Sequence, residues 1–127
     1  MDKVQAFDIS EREWQELKEG LKVCVFRASS TITLQYTEFD AGVVADAHHH
    51  PAAAVLYIET GTALAKVGDK TLTLGPGCFI NIPSDVVHEV TNIGNRKLGL
   101  IEIFTPERED RPMSKKVTDL GHGWDED

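Results

Sequence analysis

Cysteine is nearly absent: the 127-residue chain has two, Cys24 and Cys78. A disulfide-stapled fold is thereby excluded, and since both lie in apolar, strand-like surroundings they are read as reduced thiols. Long apolar runs are missing as well, which excludes a membrane-spanning helix. The first residues, Met1, Asp2, Lys3, Val4 and Gln5, contain no basic and apolar leader, so a cytoplasmic location is expected. Basic residues are scarce, with 13 Lys and Arg against 21 Asp and Glu and a formal net charge of -8. That balance disfavours partners such as nucleic acid or an anionic membrane surface, though it leaves room for a local basic pocket. No internal repeat or low-complexity segment interrupts the chain.

What remains is the composition of one globular domain, 41% hydrophobic and 27% charged. A chain of this size buries about two thirds of its extended surface on folding, enough for a core without staples. Ser10, three residues before Glu13, forms a capping-box pattern that predicts a short helix over Glu11 to Glu19. Trp14 and Leu17 would be its apolar face and Gly20 its stop.

Beyond Gly20 the pattern is that of strands: around Val23, Val25 and Phe26, then Thr31 to Phe39, Val55 to Ile58, Ala63 to Val67, Thr71 to Leu74, Cys78 to Ile82, Val86 to Thr91 and Leu98 to Phe104. Gly68-Asp69 reads as a tight hairpin turn. Many short strands without a second helix predict an all-β sandwich or barrel. The expected organisation is a helical extension over residues 1–20, a barrel over 21–112 and a polar, partly disordered tail over 113–127. Val117, Leu120 and Trp124 are its candidate docking residues.

Four of the five histidines fall in two places, His48, His49 and His50 early and His88 much later. In an extended segment His48 and His50 share a face while His49 points away, and a facing strand can bring His88 to the same point. Two imidazoles on one strand with a remote third suit a first-row divalent transition metal; zinc, nickel, manganese and iron are not distinguished. The alternative is a polar histidine-rich loop with one satisfied core histidine.

Glycine and proline spacing favours the metal. Gly42 precedes His48 by six positions, His50 follows, and Gly61 closes that strand pair; Gly77 precedes Pro83 by six, with His88 and Asn92 beyond. These blocks resemble the paired motifs of the cupin superfamily, small double-stranded β-helix (jelly-roll) barrels. The resemblance implies that His48, His50 and His88 are metal ligands facing into the barrel and that Pro83 lies in the turn before the third. It departs at Ala54, where cupins commonly place a glutamate ligand, and at Asp85, where they commonly have glycine.

In the last strand Leu98, Leu100, Glu102 and Phe104 alternate with Gly99, Ile101 and Ile103. If the leucines face inward, so does Glu102, which would then need a hydrogen bond, a cation or a metal; if Ile101 and Ile103 are buried, Glu102 faces out. Phe104 and the tyrosines Tyr36 and Tyr57 can supply pocket wall or core.

The ending Phe104-Thr105-Pro106-Glu107-Arg108-Glu109-Asp110 is similar to that of the small pectin-degradation cupins that linearise unsaturated uronates. This resemblance implies a catalytic acid at Glu102, where those proteins usually have aspartate, substrate contact by Phe104, and carboxylate binding or catalysis by Arg108; Tyr57 is a further candidate substrate contact. Read from its surroundings alone, Arg108 is equally a solvent partner of Glu107, Glu109 or Asp110. Three functions follow as expectations: nonoxidative linearisation of a 4,5-unsaturated monouronate, dioxygenation by iron held on three histidines, or noncatalytic binding of a small ligand. A small-molecule substrate is the implied partner. A homodimer is the expected assembly, with the N-terminal helix or the strand around Val23 covering the barrel edge of a second copy.

Overall fold

A computed structural model describes residues 3–105 and 110–115. Among the described residues, ten strands follow a three-residue 3-10 turn at Ile9–Glu11. They are β1 (Gln15–Lys18), β2 (Leu21–Arg27), β3 (Thr33–Phe39), β4 (Val44–His48), β5 (Ala53–Thr60), β6 (Ala63–Val67), β7 (Lys70–Leu74), β8 (Phe79–Ile82), β9 (His88–Asn92) and β10 (Leu98–Thr105). All pairings are antiparallel, in a six-stranded sheet ordered β1-β2-β3-β10-β5-β8 and a four-stranded sheet ordered β4-β9-β6-β7.

Alternation decides which side chains meet between the sheets. Along β3, Thr33, Gln35, Thr37 and Phe39 are buried; along β5, Ala54, Leu56 and Ile58 are. Leu98, Leu100 and Phe104 of β10 join them against Ala63, Ala65 and Val90 of the smaller sheet in one core. The 3-10 turn and β1 replace the helix expected over Glu11 to Glu19. The turn is capped by Asp8, whose side chain accepts from the Ser10 N–H at 3.0 Å, and Gln15 to Lys18 pair with β2. An isolated helix of nine residues cannot offset its nucleation cost, whereas the edge of β2 offers ready hydrogen bonds. The strand around Val23 is therefore paired on both sides, by β1 and β3, and presents no free edge to a partner.

Residues 110–115 run along the same edge. The Ser114 N–H donates to the Val25 carbonyl at 2.8 Å and its Oγ accepts from the Val25 N–H at 2.8 Å, while the Glu13 N–H donates to the Lys115 carbonyl at 2.9 Å. Val117, Leu120 and Trp124 lie outside the described residues.

Gly61 turns the chain between β5 and β6 at φ 87°, and a β-carbon there would lie 2.7 Å from the Lys97 carbonyl oxygen and 2.8 Å from Leu98 Cα. Both obstacles are backbone, so neither can swing aside. Gly61→Ala is expected to cost roughly 2–4 kcal/mol of unfolding free energy, read as a lowered denaturant midpoint at unchanged slope.

Candidate metal centre

β4 carries the first ligand, and a bulge aims it. Ala45 lies opposite Val90 and His48 opposite His88: three steps along β4 match two along β9. The extra residue reverses the alternation, so Ala45 and His48 both border the same cavity. His50, just past the strand, is fastened by the loop before β9. There the Asp85 N–H donates to the His50 carbonyl at 2.8 Å, and Ser84 Oγ donates to the Pro51 carbonyl at 2.6 Å. Asp85 adopts φ 59°, the left-handed conformation that glycine usually supplies and that aspartate tolerates better than most residues. Pro83 lies in that turn, its carbonyl accepting from the Val86 N–H at 3.2 Å.

The imidazoles of His48, His50 and His88 converge, with ring centroids 4.3 Å apart for His48 and His88, 4.9 Å for His50 and His88, and 5.5 Å for His48 and His50. Their ligand atoms all lie within 4.8 Å of one another. Each Nδ1 meets a backbone carbonyl: His48 that of Asp46 at 2.7 Å, His50 that of Ala52 at 2.7 Å, His88 that of Val86 at 2.9 Å. A carbonyl only accepts, so each Nδ1 carries a proton, and in the neutral imidazole each Nε2 then presents its lone pair. This is the tautomer a metal-bound histidine needs, fixed by the backbone rather than by side chains. The residues present therefore fit a divalent transition metal bound by three neutral nitrogens, with its remaining positions open. His49 is turned away towards Asp85, its Nδ1 3.5 Å from Oδ1.

Around the triad the cavity is lined by Leu17, Leu21, Phe39, Ala45 and Val90 on the apolar side and by Gln35, Thr37, Glu102 and Arg111 on the polar side. Its volume is about 40 Å³. Glu102 is on the inward face of β10; its Oε2 accepts from Gln35 Nε2 at 2.5 Å and from Thr37 Oγ1 at 3.1 Å. Gln35 Nε2 also donates to Thr37 Oγ1 at 3.0 Å. Two donors from β3 thus hold one carboxylate oxygen beside the histidines. Phe104 is buried, its ring edge-on to His50 at 5.5 Å and its Cα partnered across the sheet with Ala54. It steadies a ligand ring instead of lining the cavity.

Tyr57 is not in the cavity, contrary to its assignment as a substrate contact. It alternates with inward Leu56 and Ile58, so it lies on the outer face of the sheet, where its ring meets Phe79 at 4.6 Å. Arg108 lies outside the described residues. The arginine that does border the cavity is Arg111, which sequence reasoning passed over because nothing in the run from Glu107 to Arg111 separates one arginine from the other. Its Nη1 lies 3.3 Å from Asp110 Oδ2, and its carbonyl accepts from Arg27 Nη2 at 3.1 Å.

A double-sheet β-barrel with three imidazoles converging at its inner wall is the architecture of a small metal-binding barrel protein. The cupin domain matches residues 35–104, more than half of the chain, and the chain belongs to the cupin family. No curated protein sequence matches it. Among solved structures it is similar to KdgF from Halomonas sp., with a TM-score of 0.77 and 22% identity, covering 82% of this chain and 94% of that one. An RmlC-like cupin from Shewanella frigidimarina gives 0.76 and 24%, covering 87% and 98%. The oxalate decarboxylase formate complex from Lactobacillus farciminis gives 0.72 and 23%, covering 87% of this chain and 35% of that one. At these identities the likeness concerns the fold.

Proposed function

We propose that this cupin is an iron-dependent dioxygenase of the three-histidine type, acting on a small β-diketone or thiol that binds through two donor atoms. The observation that carries this reading is the ligand set: among the described residues, three histidines and no carboxylate converge, and Ala54 stands where an acidic ligand is common. A metal held by neutral donors retains its positive charge and its open positions for an anionic bidentate substrate and dioxygen. The five apolar residues that line the cavity favour a compact, weakly polar substrate.

When bound, iron would supply redox chemistry with dioxygen, both of whose oxygen atoms enter the product, so no external reductant is needed. The chain's own residues do the rest. Glu102, held by Gln35 and Thr37, removes the proton between the two carbonyls; Arg111 stabilises the enolate negative charge; Leu21, Phe39 and Val90 exclude water. Ferrous protein is expected to consume oxygen only when a small diketone or thiol is present. No uptake across such a panel at verified iron occupancy overturns the reading.

Glu102 facing the triad also favours a second reading, uronate linearisation, the chemistry of the cupins that the ending Phe104 to Asp110 resembles. There Glu102 would move a proton during ring opening and Arg111 would hold the substrate carboxylate. Loss of unsaturated-uronate absorbance without oxygen uptake would select it. In this second reading Arg111→Lys retains the charge and loses the planar fork that grips the carboxylate, so KM is expected to rise about tenfold with kcat little changed. Equal KM for parent and variant removes Arg111 from the site.

A further inference from the structure

We propose that Leu17 is the gate of the metal cavity: the bulged half of β1 swings away from the sheet edge to admit a ligand, and the Leu17 side chain sets the largest ligand the metal can take. The need for a gate follows from size. The cavity measures about 40 Å³, room for a few waters, whereas sites for small organic molecules run to about 300–1,000 Å³. A ligand that meets the metal through two donor atoms enters only if a wall gives. This inference rests on the metal centre common to both proposed reactions, and not on which of them runs.

Solvent reaches the metal between two sheet edges. His48 is the exposed member of the triad, on β4 at the edge of the four-stranded sheet, and β1 is an edge of the six-stranded one. Of the apolar residues that line the cavity, Leu21, Phe39 and Val90 are at most 5% exposed and are fixed in the core, whereas Leu17 is 41% exposed. A bulge brings it there. Glu16 lies opposite Lys22 and Lys18 opposite Leu21, so two steps along β1 match one along β2 and Leu17 is the extra residue. Leu17 and Lys18 thus stand together over Leu21, and both leucines border the cavity.

The same bulge leaves this stretch able to move. Gln15 is anchored, its Nε2 donating to the Pro112 carbonyl at 2.8 Å and to Ser114 Oγ at 3.2 Å, and Gly20 turns the chain into β2 at φ 79°. Between these fixed points the ladder skips Leu17. An edge strand interrupted by a bulge is among the first parts of a sheet to open. Across the mouth an ion pair ties it down, Lys18 Nζ to Asp46 Oδ2 of β4 at 3.5 Å, with side chains 40% and 82% exposed. A pair so open to water is weak, so it biases the gate shut without locking it.

The test uses the cobalt(II)-loaded protein under argon, whose visible absorption changes when a ligand replaces water on the metal. It is titrated with azide, 2,4-pentanedione and 1-phenyl-1,3-butanedione, in ascending size, each affinity taken relative to that for free cobalt(II). Cobalt content and circular dichroism are measured first. A chain that takes up no cobalt overturns the metal centre and the gate with it; at full cobalt the ligands test the gate alone. The parent is expected to bind the phenyl diketone at least about tenfold more weakly than 2,4-pentanedione, a difference that one obstructing side chain can produce. Leu17→Ala should abolish that difference. Leu17→Trp, at the same half-open strand position, should slow entry of both diketones about tenfold at unchanged cobalt content, and serves if Leu17→Ala fails to fold. Lys18→Ala releases the tie, so association with both should quicken by up to about fivefold with their ranking unchanged. Leu72→Ala, 43% exposed on the other sheet, should match the parent throughout. If the parent accepts azide alone, Leu17→Ala must admit 2,4-pentanedione, and its failure to do so overturns the proposal. A parent that does not discriminate by size also overturns it, as do Leu17→Ala and Leu17→Trp with the parent's affinities and rates.

Discussion

His88→Ala is expected to abolish stable metal binding while leaving the barrel folded. After loading with ferrous iron, zinc, nickel or manganese and exhaustive dialysis, bound metal should fall from about one ion per chain to less than about a tenth. Even the hydrogen-bonding partners of metal ligands typically contribute 10- to 100-fold in affinity, and His88 is itself one of three ligands. It is buried, directly opposite His48 in the β4 and β9 ladder, with its Nδ1 fixed on the Val86 carbonyl. The two imidazoles left behind cannot enclose an ion. A metal that binds only the folded parent also raises its melting temperature by mass action, and that rise should vanish in the variant. His49→Ala, by contrast, should retain full stoichiometry, because His49 faces Asp85 and not the centre. Full metal content in His88→Ala would show that the cluster is held together for another reason.

Much of this centre was legible in the sequence because its logic is local. The i, i+2 spacing of His48 and His50 marks them as a pair with His49 apart, and the glycine and proline spacings of the two blocks identify the turns that bring His88 across, although His50 lies just past β4 and is set by the loop before β9. The strands from Leu21 onward were legible for the same reason, most clearly Thr33 to Phe39, where buried and half-buried residues alternate throughout. Two elements were not. β4 reads Val-Ala-Asp-Ala-His, with no apolar alternation, and owes its extended form to pairing with β9, a tertiary effect that local pattern does not carry. The bulge that aims His48 is equally invisible, since it exists only relative to β9.

The helix expected over Glu11 to Glu19 failed through competition. Its capping pattern and the Trp14 and Leu17 spacing are real helix signals, but the unpaired edge of β2 lies within reach and gives the same backbone more. Tyr57 shows a different limit. Leu56 and Tyr57 are adjacent, and both faces of β5 are apolar, so composition does not say which side looks inward. On β10 the same ambiguity was resolved by Glu102, which lies inward because Gln35 and Thr37 on β3 provide its hydrogen bonds. A polar pair on one strand answering a carboxylate on its neighbour is a signal the sequence contains, but it becomes readable only once the register of β3 against β10 is known.

That pairing is the basis of the second large expected effect. Glu102→Gln should lower kcat by roughly 10²–10⁴-fold, the usual contribution of a positioned acid or base, with metal content unchanged. The substitution is conservative for the fold. Gln35 Nε2 and Thr37 Oγ1 both donate to Oε2 of Glu102, and the amide oxygen of the replacement can accept the same two bonds, so the side chain stays in place beside His48, His50 and His88. What it loses is the capacity to take up and release a proton. A structural role for Glu102 would therefore survive the change, whereas a role in enolisation or ring opening would not. The comparison is made at matched metal occupancy, by oxygen consumption or by loss of uronate absorbance, whichever the parent supports. Thr37→Val, which removes one donor but leaves the carboxylate, should lower kcat far less, since it loosens the base without deleting it. An unchanged kcat for Glu102→Gln would take Glu102 out of the proton transfer and leave it as a polar plug between β3 and β10.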